Sequence, residues 1–224
     1  MIHQAGAMPL PAACLFDLDG LLLDTEPLHA QAWREAARRF SLMLSEGDLL
    51  GLRGRRRVDC LAQVREWIEL RSGGPAPSDA DLLAVQQPIA RRLMPGAPPV
   101  EGAPDLVASC QALGVPMAMV TSSTSEAVAL KCEPHPWLRA IHLRVMGDDP
   151  ELTMGKPAPD PFLLAARRLG VPARECWAFE DSPAGARSAV TAGCRVHVLV
   201  APGLACEDYP EGVRCWRTLR DVKL

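Results

Sequence analysis

Asp17 and Asp19 stand two residues apart, behind the apolar run Ala12-Ala13-Cys14-Leu15-Phe16 and ahead of Gly20. On an extended backbone, side chains two apart point the same way, so both carboxylates lie side by side at the end of a buried strand. Carboxylates that close repel unless a cation sits between them or one keeps a proton. Taken alone, the D-x-D-G stretch also reads as an acidic turn capping the following helix. Three later clusters weigh against that: Thr121-Ser122-Ser123 after Pro116–Val120, Lys156 after Gly155, and Glu180-Asp181 after Cys176–Phe179. The polar clusters fall at strand ends, the rim where open α/β sheets bind ligands.

The four clusters suggest one chemistry. Two facing carboxylate pairs, Asp17/Asp19 and Glu180/Asp181, make a hard oxygen site suited to Mg²⁺. The Thr121 hydroxyl and the N–H groups after Val120 can hold a phosphoryl oxygen at the amino end of the next helix. Lys156 offsets charge beside both a carboxylate and a phosphate. With lysine and metal together, Asp17 can attack phosphorus. Asp19 would then protonate the leaving oxygen and later deprotonate the hydrolysing water.

The elements that must position these groups alternate strand and helix, which implies parallel pairing. Strands are expected at 12–16, 116–120, 143–146, 176–179 and 195–200, with an edge strand at 213–216. Helices are expected at 104–113, 125–132, 160–169 and 183–192. One block breaks the alternation. Between Leu28 and Met94 the spacing is helical throughout, over 27–40, 46–52, 58–71 and 79–94, and Pro88 should kink or divide the last of these. The expected organisation is a loose tail over 1–11, an α/β core over 12–26 and 95–224, and an all-helical insert over 27–94.

The 224 residues suffice for a core domain plus a small insert. Apolar residues make up 48% and charged residues 23%, with a net charge of −3, so no basic field argues for nucleic acid or a membrane surface. The eight cysteines form no C-x-x-C pair. They read as reduced thiols and the compartment as cytoplasmic.

Phe16-Asp17-Leu18-Asp19-Gly20 with Leu23-Asp24-Thr25-Glu26, Val120-Thr121-Ser122-Ser123, Gly155-Lys156-Pro157 and Phe179-Glu180-Asp181-Ser182-Pro183 resemble, in order and spacing, the four motifs of the haloacid dehalogenase superfamily. The helical block resembles the cap of its β-phosphoglucomutase-like branch. Leu93–Ala97 and Gly147-Asp148-Asp149-Pro150-Glu151 resemble the subgroup of pseudouridine-5′-phosphatase and related small-metabolite phosphatases. The resemblance implies a doubly wound, mostly parallel sheet with Asp17 as nucleophile and Asp19 as general acid/base. It implies a Mg²⁺ ion held by Asp17, the main-chain oxygen of Asp19, Asp181 and Glu180. Thr121 and Lys156 match the phosphate-binding pair, with Gly20, Ser122 and Ser123 beside them, and Thr25 and His29 match positions near the cap hinge.

The run Arg53-Gly54-Arg55-Arg56-Arg57 departs from the pattern. It is either a solvated basic face or a grip on the far end of a substrate, with Arg55 and Arg57 the candidates. Trp33 and Trp67 suit the core of the helical block better than a substrate platform. Asp148 and Asp149 suit a turn. The expected activity is hydrolysis of a small phosphorylated metabolite by a monomer or weak homodimer. A phosphosugar mutase on the same scaffold and a non-enzymatic receiver module are the alternatives, and the helical insert speaks against the second.

Overall fold

The computed structural model describes residues 10–53, 55 and 57–224. Most of the expected tail, together with Gly54 and Arg56 of the basic run, lies outside the described residues.

Strand β1 (Ala13–Phe16) is short, apolar and buried along its whole length, as a strand covered on both faces must be. It pairs in parallel with β2 (Met117–Val120) on one side and β4 (Cys176–Glu180) on the other. Outward from these lie β3 (Leu143–Val145), β5 (Arg195–Leu199) and β6 (Arg214–Trp216), giving the six-stranded parallel order β3-β2-β1-β4-β5-β6. The chain winds away from β1 through β2 and β3, then returns to its other side at β4. That reversal opens a crevice at the carboxyl ends of β1, β2 and β4. Phe16 lies opposite both Met119 and Phe179, so Asp17, Thr121 and Glu180 emerge together on one rim.

Alternation along β1 feeds two cores. Cys14 and Phe16 face Met117, Met119, Trp177 and Phe179, covered by α5 (Ala103–Ala112). Ala13 and Leu15 face Val120, Ala178 and Val196, covered by α7 (Asp160–Leu169) and α8 (Pro183–Thr191). Phe16 and Phe179 stack with centroids 4.9 Å apart directly beneath the rim. Replacing either by Ala would cost about 3–5 kcal/mol.

Between β1 and β2 the chain forms α1 (Glu26–Arg39), α2 (Glu46–Leu52), α3 (Arg57–Arg71) and α4 (Asp79–Leu93). These helices bury a core of their own, with Trp33, Ala37, Leu49, Val64, Ile68 and Leu82. Ser45 and Asp48 close a capping box at the start of α2, and Ser78 caps α4. Pro88 does not divide α4, which runs unbroken to Leu93. Packing along α1 holds the helix together where one backbone donor is missing. The short helix α6 (Ser125–Cys132) starts at the Thr124 cap just past β2. Among the described residues no helix is long and apolar enough to cross a membrane.

The cysteines correct one expectation. Cys206 and Cys215, nine apart in sequence, form a disulfide with Cα atoms 6.0 Å apart, because the loop after β5 folds back on the edge strand β6. The other six are free thiols, and most of them are buried.

Candidate active site

Asp17 follows the last residue of β1, and its backbone N–H still donates to the Phe179 carbonyl at 3.0 Å. Its carboxylate accepts from Lys156 Nζ at 2.5 Å. The same ammonium donates to Glu180 Oε1 at 2.5 Å and to the Val120 carbonyl at 2.8 Å, so its three protons join the ends of β1, β2 and β4. Glu180 is fastened again by the Ser182 hydroxyl at 3.2 Å, and Ser182 also caps α8. All four side chains are buried.

Asp181 completes the acidic group. Oxygens of Asp17, Glu180 and Asp181 lie within 4.8 Å of one another. Gly20, at φ +84°, passes so close that a Cβ there would collide with the Asp181 carboxylate. Gly185 is likewise set against Glu180. Asp181 Oδ2 is buried and lacks a hydrogen-bond partner. Its backbone carbonyl accepts from the Tyr209 hydroxyl at 2.7 Å. Burial pushes Asp17 up to about 8, with Lys156 opposing and Glu180 and Asp19 adding to the rise. Burial, then Glu26 and Asp17, push Asp181 well above the usual carboxylate range. Burial would lower Lys156, but Asp17 and Glu180 outweigh it and raise it. Three crowded carboxylates, two of them sharing one ammonium and the third with an oxygen that makes no hydrogen bond, fit a divalent cation.

Asp19 sits apart from that group. Its carboxylate accepts from Thr25 at 2.7 Å, from Ser123 at 2.8 Å, and from Lys131 at 2.6 Å on both oxygens. His29 Nε2 lies 3.4 Å away. Burial alone would raise Asp19, but Lys131 and then His29 more than offset it and hold the carboxyl well below its usual range. Thr121 donates its N–H to the Val145 carbonyl and accepts the Ser123 N–H on its hydroxyl at 3.1 Å, 3.5 Å from Asp19.

Above the rim lies a cavity of about 510 Å³ between the sheet and the helical block. Asp17, Asp19, Thr121, Ser122, Ser123, Lys156 and Asp181 line its floor. His29, Arg55 and Arg57 line it from the helical side, so the expected residues do converge. Arg55 and Arg57 are exposed, and Arg55 is 3.5 Å from Gln63. Trp33 is both core and cavity wall. Asp148 receives the N–H and hydroxyl of Ser125, and Asp149 pairs with Arg168, both away from the cavity.

Sequence reasoning passed over several contributors. Arg53 reaches the acidic group, 3.4 Å from Asp181 and 3.5 Å from Glu26. Gln86 is buried with an unpartnered Oε1 in the cavity wall. Lys131 gave a usable signal: with Thr124 and Val128 it follows helical spacing on the buried side of α6.

Residues 11–193 match the model of the haloacid dehalogenase-like hydrolase family. The chain belongs to this family. As a member it is 31% identical over 194 residues to (DL)-glycerol-3-phosphatase 2 of Arabidopsis thaliana, covering 85% of this chain and 80% of the relative. It is 34% identical over 220 residues to the probable pseudouridine-5′-phosphatase of Drosophila melanogaster, covering 94% and 90%. A crystal structure of CbbY from Rhodobacter sphaeroides in complex with phosphate superposes with a TM-score of 0.78 at 27% identity, covering 95% of this chain and 96% of that one. β-Phosphoglucomutase from Clostridium difficile shares the fold, with a TM-score of 0.80 at 17% identity. These likenesses place the chain in the helical-cap branch.

Proposed function

We propose that this enzyme is a Mg²⁺-dependent phosphatase that hydrolyses a small phosphorylated metabolite, a sugar, polyol or nucleotide monophosphate, through an aspartyl-phosphate on Asp17. The observation that carries the reading is the cluster of Asp17, Glu180 and Asp181, the first two bound by Lys156 and the third with a buried oxygen that makes no hydrogen bond, opening into a cavity beside Asp19 and Thr121. Relatives named as glycerol-3-phosphatase, pseudouridine-5′-phosphatase and fructose-1-phosphate phosphatase support the substrate class.

Asp17, Glu180 and Asp181, with the Asp19 main-chain oxygen, would hold the ion. When bound, Mg²⁺ offsets negative charge between the carboxylates and an incoming phosphoryl group. The chain's own groups do the rest. Lys156, Thr121 and the amides of Ser122 and Ser123 orient the phosphoryl oxygens. An Asp17 oxygen bonds to phosphorus as the bond to the leaving oxygen breaks, and Asp19 gives that oxygen a proton. A water then attacks phosphorus and passes a proton to Asp19. The Asp17–phosphorus bond breaks, which releases inorganic phosphate and returns Asp17 as a carboxylate and Asp19 as the protonated acid that began the cycle.

In the same reading, residues 27–94 act as a cap over a core of 12–26 and 95–224. They shield the site from bulk water and bring His29, Arg55 and Arg57 toward the leaving group. Asp17→Asn tests the reading. It should abolish phosphate release from p-nitrophenyl phosphate and from a panel of sugar, polyol and nucleoside monophosphates, with the circular dichroism spectrum unchanged. Turnover near wild type, or isomerised product without free phosphate, would overturn it.

A further inference from the structure

A second lysine stands at this site. Lys131, in the last turn of α6, is only 1% exposed, and a lysine is seldom so buried without a partner. Its ammonium lies 2.6 Å from each Asp19 oxygen and 2.7 Å from the Ser123 hydroxyl. An ammonium has three protons, and here all three have acceptors. Although Lys131 borders the cavity, it has no donor left for a substrate. Its work is directed at Asp19.

The site thus holds two lysines on two carboxylates. Lys156 binds the Asp17 carboxylate and ties it to Glu180, while Lys131 binds the Asp19 carboxylate. Asp19 is also held by Thr25 at the foot of α1 and by Ser123 at the foot of α6. These contacts set its carboxylate beside His29, on the side where the cavity continues under the helical block. A leaving group that extends from Asp17 under the helical block therefore passes Asp19.

We propose that Lys131 is a positioning residue, which holds the Asp19 carboxylate on the leaving-group side of the cavity and keeps it out of the Asp17–Glu180–Asp181 group. The inference rests on the phosphatase reading and names a residue outside the four motifs. It has a kinetic signature that a merely structural lysine lacks. An alkoxide must take a proton as it leaves, whereas p-nitrophenolate is a stable anion and leaves without one. Misplacing Asp19 therefore lowers kcat/KM of alkyl phosphates selectively, because kcat/KM reports only the steps up to departure of the leaving group, before Asp19 takes the water's proton.

The experiment compares an alkyl phosphate (glycerol 3-phosphate, or the fastest alkyl substrate of the panel) with p-nitrophenyl phosphate at saturating Mg²⁺. Lys131→Met should lower kcat/KM for the alkyl phosphate by about 10²-fold, the lower end of what a positioned acid contributes, and change kcat/KM for p-nitrophenyl phosphate little. Lys131→Arg, which returns the charge, should recover part of the alkyl turnover. Added to Asp19→Asn, Lys131→Met should cost nothing further, since it acts through the missing group. Should Lys131→Met fail to fold, Lys131→Gln replaces it, and the alkyl-to-aryl ratio decides. Equal losses on both substrates, no loss on either, or additive losses with Asp19→Asn overturn the assignment of Lys131 while leaving the phosphatase reading intact. Undiminished phosphate release by Asp17→Asn overturns the reading beneath it.

Discussion

Arg53 Nε lies 3.4 Å from Asp181 Oδ2, and neither buried atom makes a hydrogen bond. An arginine from the helical block thus stands against the carboxylate at the end of β4 that the proposed ion would share. Two cations drawn to one carboxylate compete.

The first expected outcome concerns that competition. Chelation with EDTA should silence phosphate release and Mg²⁺ should restore it. Arg53→Ala should bind Mg²⁺ about fivefold more tightly by calorimetry, the factor that corresponds to about 1 kcal/mol for a part-buried charge pair. Activity indifferent to chelation would remove the metal role, and an unchanged affinity would remove the competition.

Asp17→Asn should stabilise the metal-free protein even as it abolishes turnover. Asp17 is raised from 3.8 to about 8 in the folded chain, chiefly by burial. A raised acid binds more protons folded than unfolded, so its ionisation draws stability down as pH rises from about 4 to 8. The amide carries no such penalty. Thermal melts without metal at pH 7.5 should show the variant melting higher, with the difference shrinking when Mg²⁺ is added. A variant melting at or below wild type without metal would contradict the crowding of these carboxylates.

His197 should make stability fall on the acid side. Burial, then Arg214, lower it from 6.5 to about 4, and its Nδ1 accepts the Trp216 indole N–H at 3.1 Å, which needs the neutral ring. Below pH 6.5 the unfolded chain takes up a proton that the folded chain refuses until about pH 4. Stability from this group is therefore present above pH 6.5 and lost across that window, by roughly 3 kcal/mol. Urea titrations at intervals from pH 7 to 4 should show a steeper loss for wild type than for His197→Gln. Parallel curves would remove the assignment.

Tyr209 links the disulfide loop to the site. Its hydroxyl donates to the Asp181 carbonyl at 2.7 Å and accepts from Ala201 N–H at 3.1 Å. Tyr209→Phe leaves both buried groups unmet and should cost about 1–3 kcal/mol. Cys206→Ser, which opens the short Cys206–Cys215 loop next to it, should cost about 2–3 kcal/mol by the loop-entropy argument. Denaturant midpoints measure both, and reductant should lower the wild-type midpoint while leaving Cys206→Ser unmoved. A midpoint of Tyr209→Phe equal to wild type would show the brace to be idle.

What the chain determines by itself is local. Helices Glu46–Leu52, Ser125–Cys132 and Asp160–Leu169 end where their caps, glycines and periodicity place them, because those signals act within a few residues. The polar groups at the ends of β1, β2 and β4 were legible for the same reason: an apolar run stops, and chemistry-bearing residues follow it. Their convergence needed only the rule that alternating strands and helices pair in parallel.

Tertiary structure decided whatever depends on which distant faces meet. Lys131 lies 112 residues from Asp19, and nothing near either residue announces the partner. Arg53, which follows α2, reaches Asp181, whereas Arg55 and Arg57 stay exposed, a choice that only the packing of the helical block makes. Pro88 stays inside a helix because α1 supports it, and Cys206 meets Cys215 because a loop turns back on an edge strand. Local preferences in each place favoured another outcome or none. Burial against a remote surface outweighed them, and that surface exists only once the chain has folded.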